Sequence, residues 1–343
     1  SELDEARLLI ASSMLGDRLD ILVSGRPRAG SPLAVLVAGW SAPDVRLARL
    51  VPANAAVSFV SSSSAPGNPF ELQADGVRAL TVDSFVSLLP AGSVTSGTAV
   101  VAAPAVVGDG FALVGAVQAS RPEEAAAALG KLDGRTFASL FKLSRSGQRA
   151  VNGRVVHAYT LSSSIKDVAD PKAASVGEFV RFVAVLAAIF GPLTFEATVD
   201  GGLVIFEVGP AGDLDERLAA ASGRTPYVSL SLLPIGMPSL DASALRSVTF
   251  ASPSTLARRG FVSVTPAAAS LVGNLAPAGD GCTALAAVLP DGTFVWGWSL
   301  AENEVRGTID DIDGARPVFQ ALFLRGAESR ILRQADSATS ARH

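Results

Sequence analysis

Histidine and cysteine, the side chains that most often carry nucleophilic, acid–base and metal chemistry, are nearly missing from this sequence. His157, His343 and Cys282 are the only three such residues among 343. One cysteine cannot form a disulfide within the chain. Two histidines in unfamiliar contexts speak against a histidine-based metal site and offer Cys282 no evident base. Cys282 therefore reads as a small buried hydrophobe. Lysine is also scarce, at positions 131, 142, 166 and 172 only. The motifs that bind phosphate or build a nucleophile are missing too. Val107-Gly108-Asp109-Gly110 lacks the third glycine of the dinucleotide fingerprint and precedes a predicted strand, not a helix. No phosphate-binding Gly-rich loop ending in Lys-Ser/Thr, no Gly-x-Ser-x-Gly elbow and no His-Glu-x-x-His helix occurs. The expectation is a protein without a catalytic centre and without a cofactor.

Charge is sparse as well. Charged residues make up 17% of the chain and hydrophobic ones 49%, with a net charge of −4. Soluble domains average about 25% charged residues. A chain so composed crosses a membrane, carries lipid, or buries much of its outside against neighbours. A spanning helix needs about 20 apolar residues. The best run, Val176 to Phe190, contains Glu178 and Arg181 and stops at Gly191-Pro192, so a buried amphipathic helix is expected there and no membrane span.

What the sequence has in quantity is short apolar segments separated by turn residues. Leu8, Ala11, Leu15, Leu19 and Leu22 recur at helical spacing, which predicts an opening helix between Leu3 and Leu22. Leu33 to Trp40 and Ala55 to Val60 read as buried strands. Hairpins are predicted for Thr98–Val107 with Phe111–Gln118, for Gln148–Val151 with Arg154–Leu161 around Asn152-Gly153, and for Leu193–Val199 with Leu203–Val208 around Asp200-Gly201-Gly202. Ser120 and Glu123 suggest a capping box for a helix through Leu132. Asp213 to Ala221 reads as a short helix. Further strands are expected at Tyr227–Leu233, Ser247–Phe250, Gly260–Val264 and, turned by Asp291-Gly292, at Thr283–Leu289 and Thr293–Leu300, and more weakly at Glu304–Ile309 and Val318–Leu324. Many short strands without β-α-β alternation predict a mainly β fold, an antiparallel sandwich or jelly-roll-like core with a few short helices. The expected organisation is a β-rich region over 1–148 with an initial helix, a β-sandwich core over 149–334, and a polar tail over 335–343.

Candidate site residues are few. Asp310, Asp311 and Asp313, with Glu302 and Glu304, are either a solvated acidic turn or a calcium bridge at a subunit contact. Glu178, Glu196 and Glu207 sit among apolar residues, as outward members of amphipathic elements or as acids of raised pKa. Trp296 and Trp298 alternate and so share one strand face, as core or as an interface anchor. Basic residues are segregated. Gly134 to Lys166 contains no acid and includes Arg135, Lys142, Arg145, Arg149 and Arg154. Ala242 to Gly279 contains none either and includes Arg258 and Arg259. Arginine suits bidentate phosphate contacts, so these seven are candidates to face a nucleic-acid backbone without reading sequence, against the plainer reading of a solvated basic face.

Arg154 to Leu161, then Phe179 to Phe190, Leu193-Thr194-Phe195-Glu196-Ala197-Thr198-Val199 and Gly201-Gly202-Leu203-Val204-Ile205-Phe206 resemble a segment of jelly-roll coat proteins from small RNA viruses. The resemblance implies a capsid subunit that binds copies of itself and encloses viral RNA, located in the virion or host cytoplasm. The mixed Ser1 to Asp20 segment departs from the long basic arm that many such proteins carry. Gly191-Pro192-Leu193 and Asp200-Gly201-Gly202-Leu203-Val204, with Leu214 to Ala221, also resemble uncharacterised bacterial extracytoplasmic proteins. That resemblance implies a non-catalytic binding or envelope module of the periplasm or cell surface.

Overall fold

Asn152-Gly153 is the sharpest turn signal in the chain, and it closes a hairpin. Asn152 and Gly153 have φ of 49° and 79°, the left-handed pair that a two-residue turn between twisted strands requires. Strands β7 (Phe141–Val151) and β8 (Arg154–Ser163) run antiparallel from it. The computed structural model describes residues 2–13, 18–51, 55–62, 82–104, 111–137, 141–163, 193–209, 213–222, 242–252, 254–255 and 281–307. The predictions for 176–190, 227–233, 260–264 and 318–324, the residues Glu178, Arg258, Arg259, Asp310, Asp311 and Asp313, and the tail over 335–343 lie outside the described residues.

The fold class read from the sequence is the one observed: mainly β, with an antiparallel sandwich core and a few short helices. The other strands are β1 (Leu3–Ser13), β2 (Arg18–Pro27), β3 (Val57–Ser61), β4 (Val94–Pro104), β5 (Phe111–Ala119), β6 (Thr136–Phe137), β9 (Thr194–Asp200), β10 (Leu203–Gly209), β11 (Leu245–Ala251), β12 (Cys282–Val288) and β13 (Phe294–Ala301). Among the described residues these 13 strands join edge to edge, in the order β1-β2-β13-β12-β11-β3-β4-β5-β10-β9-β8-β7-β6. Neighbours are consecutive in the chain except at three joins, β2 with β13, β11 with β3 and β5 with β10. The expected boundary at 148/149 falls inside β7, and all three long-range joins cross it.

Helices cover both faces of the sheet. They are α1 (Pro32–Ala38), α2 (Val45–Arg49), α3 (Ser84–Val86), α4 (Pro122–Leu129) and α5 (Asp213–Ala221). On β10 the alternation of side chains divides the core in two. Leu203 and Ile205 pack with Leu47 of α2 and Leu214 of α5. Val204 and Phe206 pack on the other side with Phe85 of α3 and Leu129 of α4. Phe206 lies over Gly115, its cross-strand partner on β5, where a β-carbon would collide with the ring.

Four local predictions need correction. Leu3 to Leu22 is not a helix but most of the β1–β2 hairpin. Its helical spacing coincides with two apolar runs, Leu8-Leu9-Ile10 and Ile21-Leu22-Val23, that extended backbone accommodates equally well. Leu33 to Trp40 is helix α1, not a strand. Ser31 caps it by accepting from the Ala34 N–H, and Pro32 occupies its first turn, a start signal that outweighs a short apolar run. Ser120 does not cap α4, because its hydroxyl donates to the Gly92 carbonyl instead and Arg121 is the N-cap. Residues 302–307 are helical, not extended.

Candidate functional site

The described residues hold two arrangements that separate this molecule from an ordinary β protein: a buried ionic cluster beneath α5 and an open sheet edge at β1. The first begins with helix periodicity. Leu214, Arg217, Leu218 and Ala221 are all buried on α5, an i, i+3, i+4, i+7 stripe that places a guanidinium among leucines. Arg217 Nε donates to Glu207 Oε2 at 2.9 Å. Both side chains are fully buried, and the two terminal nitrogens of Arg217 have no hydrogen-bond partner among the described residues. Glu196 faces Glu207 directly across the β9–β10 ladder. Arg149 of β7 donates both terminal nitrogens to the two Glu196 oxygens, each at 2.7 Å, and its Nε to Asp215 of α5. Hydrogen bonding to Glu196, opposed by burial and aided by Asp215, holds the Arg149 proton more tightly than in free arginine. Glu196 and Glu207 are thus inward, ion-paired residues rather than outward members of amphipathic strands. Each carboxylate is occupied by a guanidinium, so the cluster works as a clamp joining α5 to three strands.

A second buried acid, Glu304, accepts from the Ser252 hydroxyl at 2.8 Å and from the backbone N–H groups of Ser254 and Gly281 at 2.8 and 3.0 Å. It ties the helical turn at 302–307 to the ends of β11 and β12. Burial, and then the Glu304 charge, push the neighbouring Cys282 thiol up to about 11. Cys282 is therefore a protonated, weakly nucleophilic thiol at neutral pH. Among the described residues no group of three or more His, Cys, Asp or Glu side chains could hold a metal ion, and no helix is long and apolar enough to cross a membrane.

The sheet edges differ sharply. One edge strand is β6, two residues long. The other is β1, eleven residues long and paired, among the described residues, only with β2. Three consecutive apolar side chains stand in solvent on β1: Leu8, Leu9 and Ile10 are 65%, 45% and 61% exposed. Inward from the edge, register aligns apolar rows on one face. Leu8 pairs with Val23 and Val23 with Trp296, while Ile10 pairs with Ile21 and Ile21 with Trp298. Trp296 and Trp298 share that face, as alternation requires, and both are half-buried. Among the described residues, helix α1 shelters one end of this face. There Trp40 and Phe294 meet edge to face at 6.4 Å, and Phe294 contacts Trp296 at 4.9 Å. On the opposite face an open groove of about 270 Å³ is lined by Glu5, Arg7, Ser24, Arg26, Asp291 and Thr293 among others. Its charges are paired with each other, Glu5 with Arg7 and Arg26 with Asp291.

The five basic candidates among the described residues do not form one surface. Arg135, Lys142 and Arg145 are exposed. Arg149 is held by Glu196 and Asp215, and Arg154 Nε pairs with Asp200 at 2.8 Å. Arg145 lies opposite Tyr159 on the face of the Phe85 cluster, whereas Arg149 lies opposite Val156 on the other face. Reading the sequence placed Leu8 only in a helical stripe and did not single out Leu9, Ile10 or Arg217. The signals were there: an apolar triple without Gly or Pro, and an arginine at the buried phase of a helix.

No protein-family model, curated protein or solved structure matches the chain. The fold defines the class, a mainly β antiparallel protein with short covering helices.

Proposed function

We propose that this chain is a structural subunit that acts by associating with copies of itself. One observation carries the reading: an eleven-residue edge strand that presents Leu8, Leu9 and Ile10 to solvent. Natural β proteins blunt such edges with lysine, proline, bulges or covering loops, because an open apolar edge pairs with other chains. Positions 5–13 of β1 contain none of the lysine or proline that would serve. The low charge content supports the same reading, since surfaces buried against neighbours need few charges. In its most concrete form the subunit is a coat protein, a form supported by the resemblance of residues 154–206 to jelly-roll coat proteins. Contacts to enclosed nucleic acid would then fall to the exposed Arg135, Lys142 and Arg145.

Sedimentation velocity over a concentration series, with electron microscopy of the concentrated protein, tests the reading. Discrete oligomers or particles are expected. A protein that stays monomeric at the highest attainable concentration overturns it.

A further inference from the structure

We propose that two copies of this chain join through β1 in a two-fold, antiparallel pairing centred on Leu9, making one continuous sheet across the dimer. The proposal rests on the self-association reading and specifies its geometry.

Symmetry limits the choices. Two identical edge strands in one sheet are related antiparallel by a two-fold axis normal to the sheet. That axis keeps each face of the sheet on its own side, so a residue can only oppose one of the same parity. The pairing must therefore centre on a residue of β1.

The charges decide which one. Asp4, Glu5 and Arg7 crowd the first half of β1 and leave 8–10 free of charge. Centring on Arg7 opposes two arginines, and centring on Ala6 sets Leu8 against Asp4. Centring on Leu8 sets Leu9 against Arg7. Centring on Leu9 opposes Leu9 to the partner's Leu9 and Leu8 to the partner's Ile10, and overlaps residues 5–13 of both copies. Only this centre matches all three exposed apolar residues among themselves.

The same register joins the rows behind the edge. On one face, Trp296, Val23 and Leu8 of one copy continue into the partner's Ile10, Ile21 and Trp298, and the symmetric row runs the other way. Cross-strand apolar and aromatic pairs of this kind are the unit of sheet stabilisation. The other edge offers no equivalent apolar stretch among the described residues: β6 pairs only with Phe141 and Lys142 of β7, and beyond them β7 exposes Ser144, Arg145, Ser146 and Gln148. A head-to-tail stack of β1 on β6 is therefore disfavoured against the two-fold pair.

Cysteine cross-linking in a Cys282→Ser background reads the register directly, because opposed β-carbons lie within disulfide reach. Under mild oxidation Leu9→Cys is expected to cross-link to itself. Leu8→Cys and Ile10→Cys are expected to cross-link to each other when mixed, and much more slowly alone. In parallel, Leu9→Lys opposes two cations and is expected to weaken dimerisation roughly 100-fold or more, with Leu9→Thr weakening it less. Leu9 is exposed, so circular dichroism should show both variants folded. Should Leu9→Lys fail to fold, Leu9→Thr and the cross-links decide. Self-linking of Leu8→Cys as fast as Leu9→Cys, or an unchanged dimer in folded Leu9→Lys, overturns this interface while leaving self-association standing. A wild-type protein that never dimerises overturns both.

Discussion

Glu196 and Glu207 stand directly opposite each other on β9 and β10, and each is held by its own arginine. Two like charges at opposed positions of a ladder repel. Arg149 and Arg217 reverse that repulsion and in doing so fix α5 against the sheet.

Removing one member of such a pair is expected to cost far more than removing both. Arg217→Leu strands the Glu207 carboxylate in the core and is expected to destabilise the fold by about 3–5 kcal/mol, whereas the double variant Arg217→Leu/Glu207→Leu recovers most of the loss. Urea unfolding of the two single variants and the double variant measures this. A double variant no more stable than either single one would contradict the role assigned to the pair.

Phe206 and Gly115 make a tighter test of packing. Gly115→Ala places a methyl where the Phe206 ring lies. The loss is expected to be about 1–3 kcal/mol, the usual range for overpacking a core. Adding Phe206→Leu should relieve part of it, and thermal unfolding of the three variants decides.

The Cys282 thiol carries a pH signature. Its pKa near 11, above the ordinary value of about 9, favours the neutral form in the folded state. The stability this contributes is complete below about pH 9 and declines as pH rises through about 11. Alkylation by iodoacetamide is expected to be slow at neutral pH and to climb toward pH 11. Glu304→Gln removes the adjacent negative charge and should move that profile to lower pH. A profile that does not move would show that burial alone raises the thiol.

His157 gives the opposite dependence. Burial, then the Arg145 charge, lowers its pKa. The unfolded chain therefore takes up a proton on acidification before the folded one does. The stability held above the ordinary histidine range falls as pH drops toward the folded pKa. Arg145→Gln should lessen the fall, as read from melting temperatures at neutral and mildly acidic pH.

Much of this fold was legible residue by residue. The three hairpins behind Asn152-Gly153, Gly201-Gly202 and Asp291-Gly292 were readable because each turn demands φ values that glycine supplies. Helix α5 was readable from its periodicity. The β1–β2 hairpin was not, because its leucines happen to fall at helical intervals. Helix α1 was misread because a seven-residue apolar run has no period of its own, and only Ser31-Pro32 marks its start. The ionic cluster was half-visible. Glu196 and Glu207 stood out among apolar residues, but their partners Arg149 and Arg217 arrive from elsewhere in the chain. The three long-range joins left no local trace at all.

Of those joins, β2 with β13 has a consequence during synthesis. Strand β2 ends at Pro27, and β13 does not begin until Phe294. A ribosome adding about 5–20 residues per second needs tens of seconds to cover that interval. Throughout it the first hairpin has emerged without the strand that will cover its inner flank, and it exposes Leu19, Ile21 and Leu22 as well as the outer edge. The nascent chain therefore displays this apolar segment long before the strand that covers its inner flank is made. Expression should depend on holding that hairpin apart from its neighbours until β13 has been synthesised.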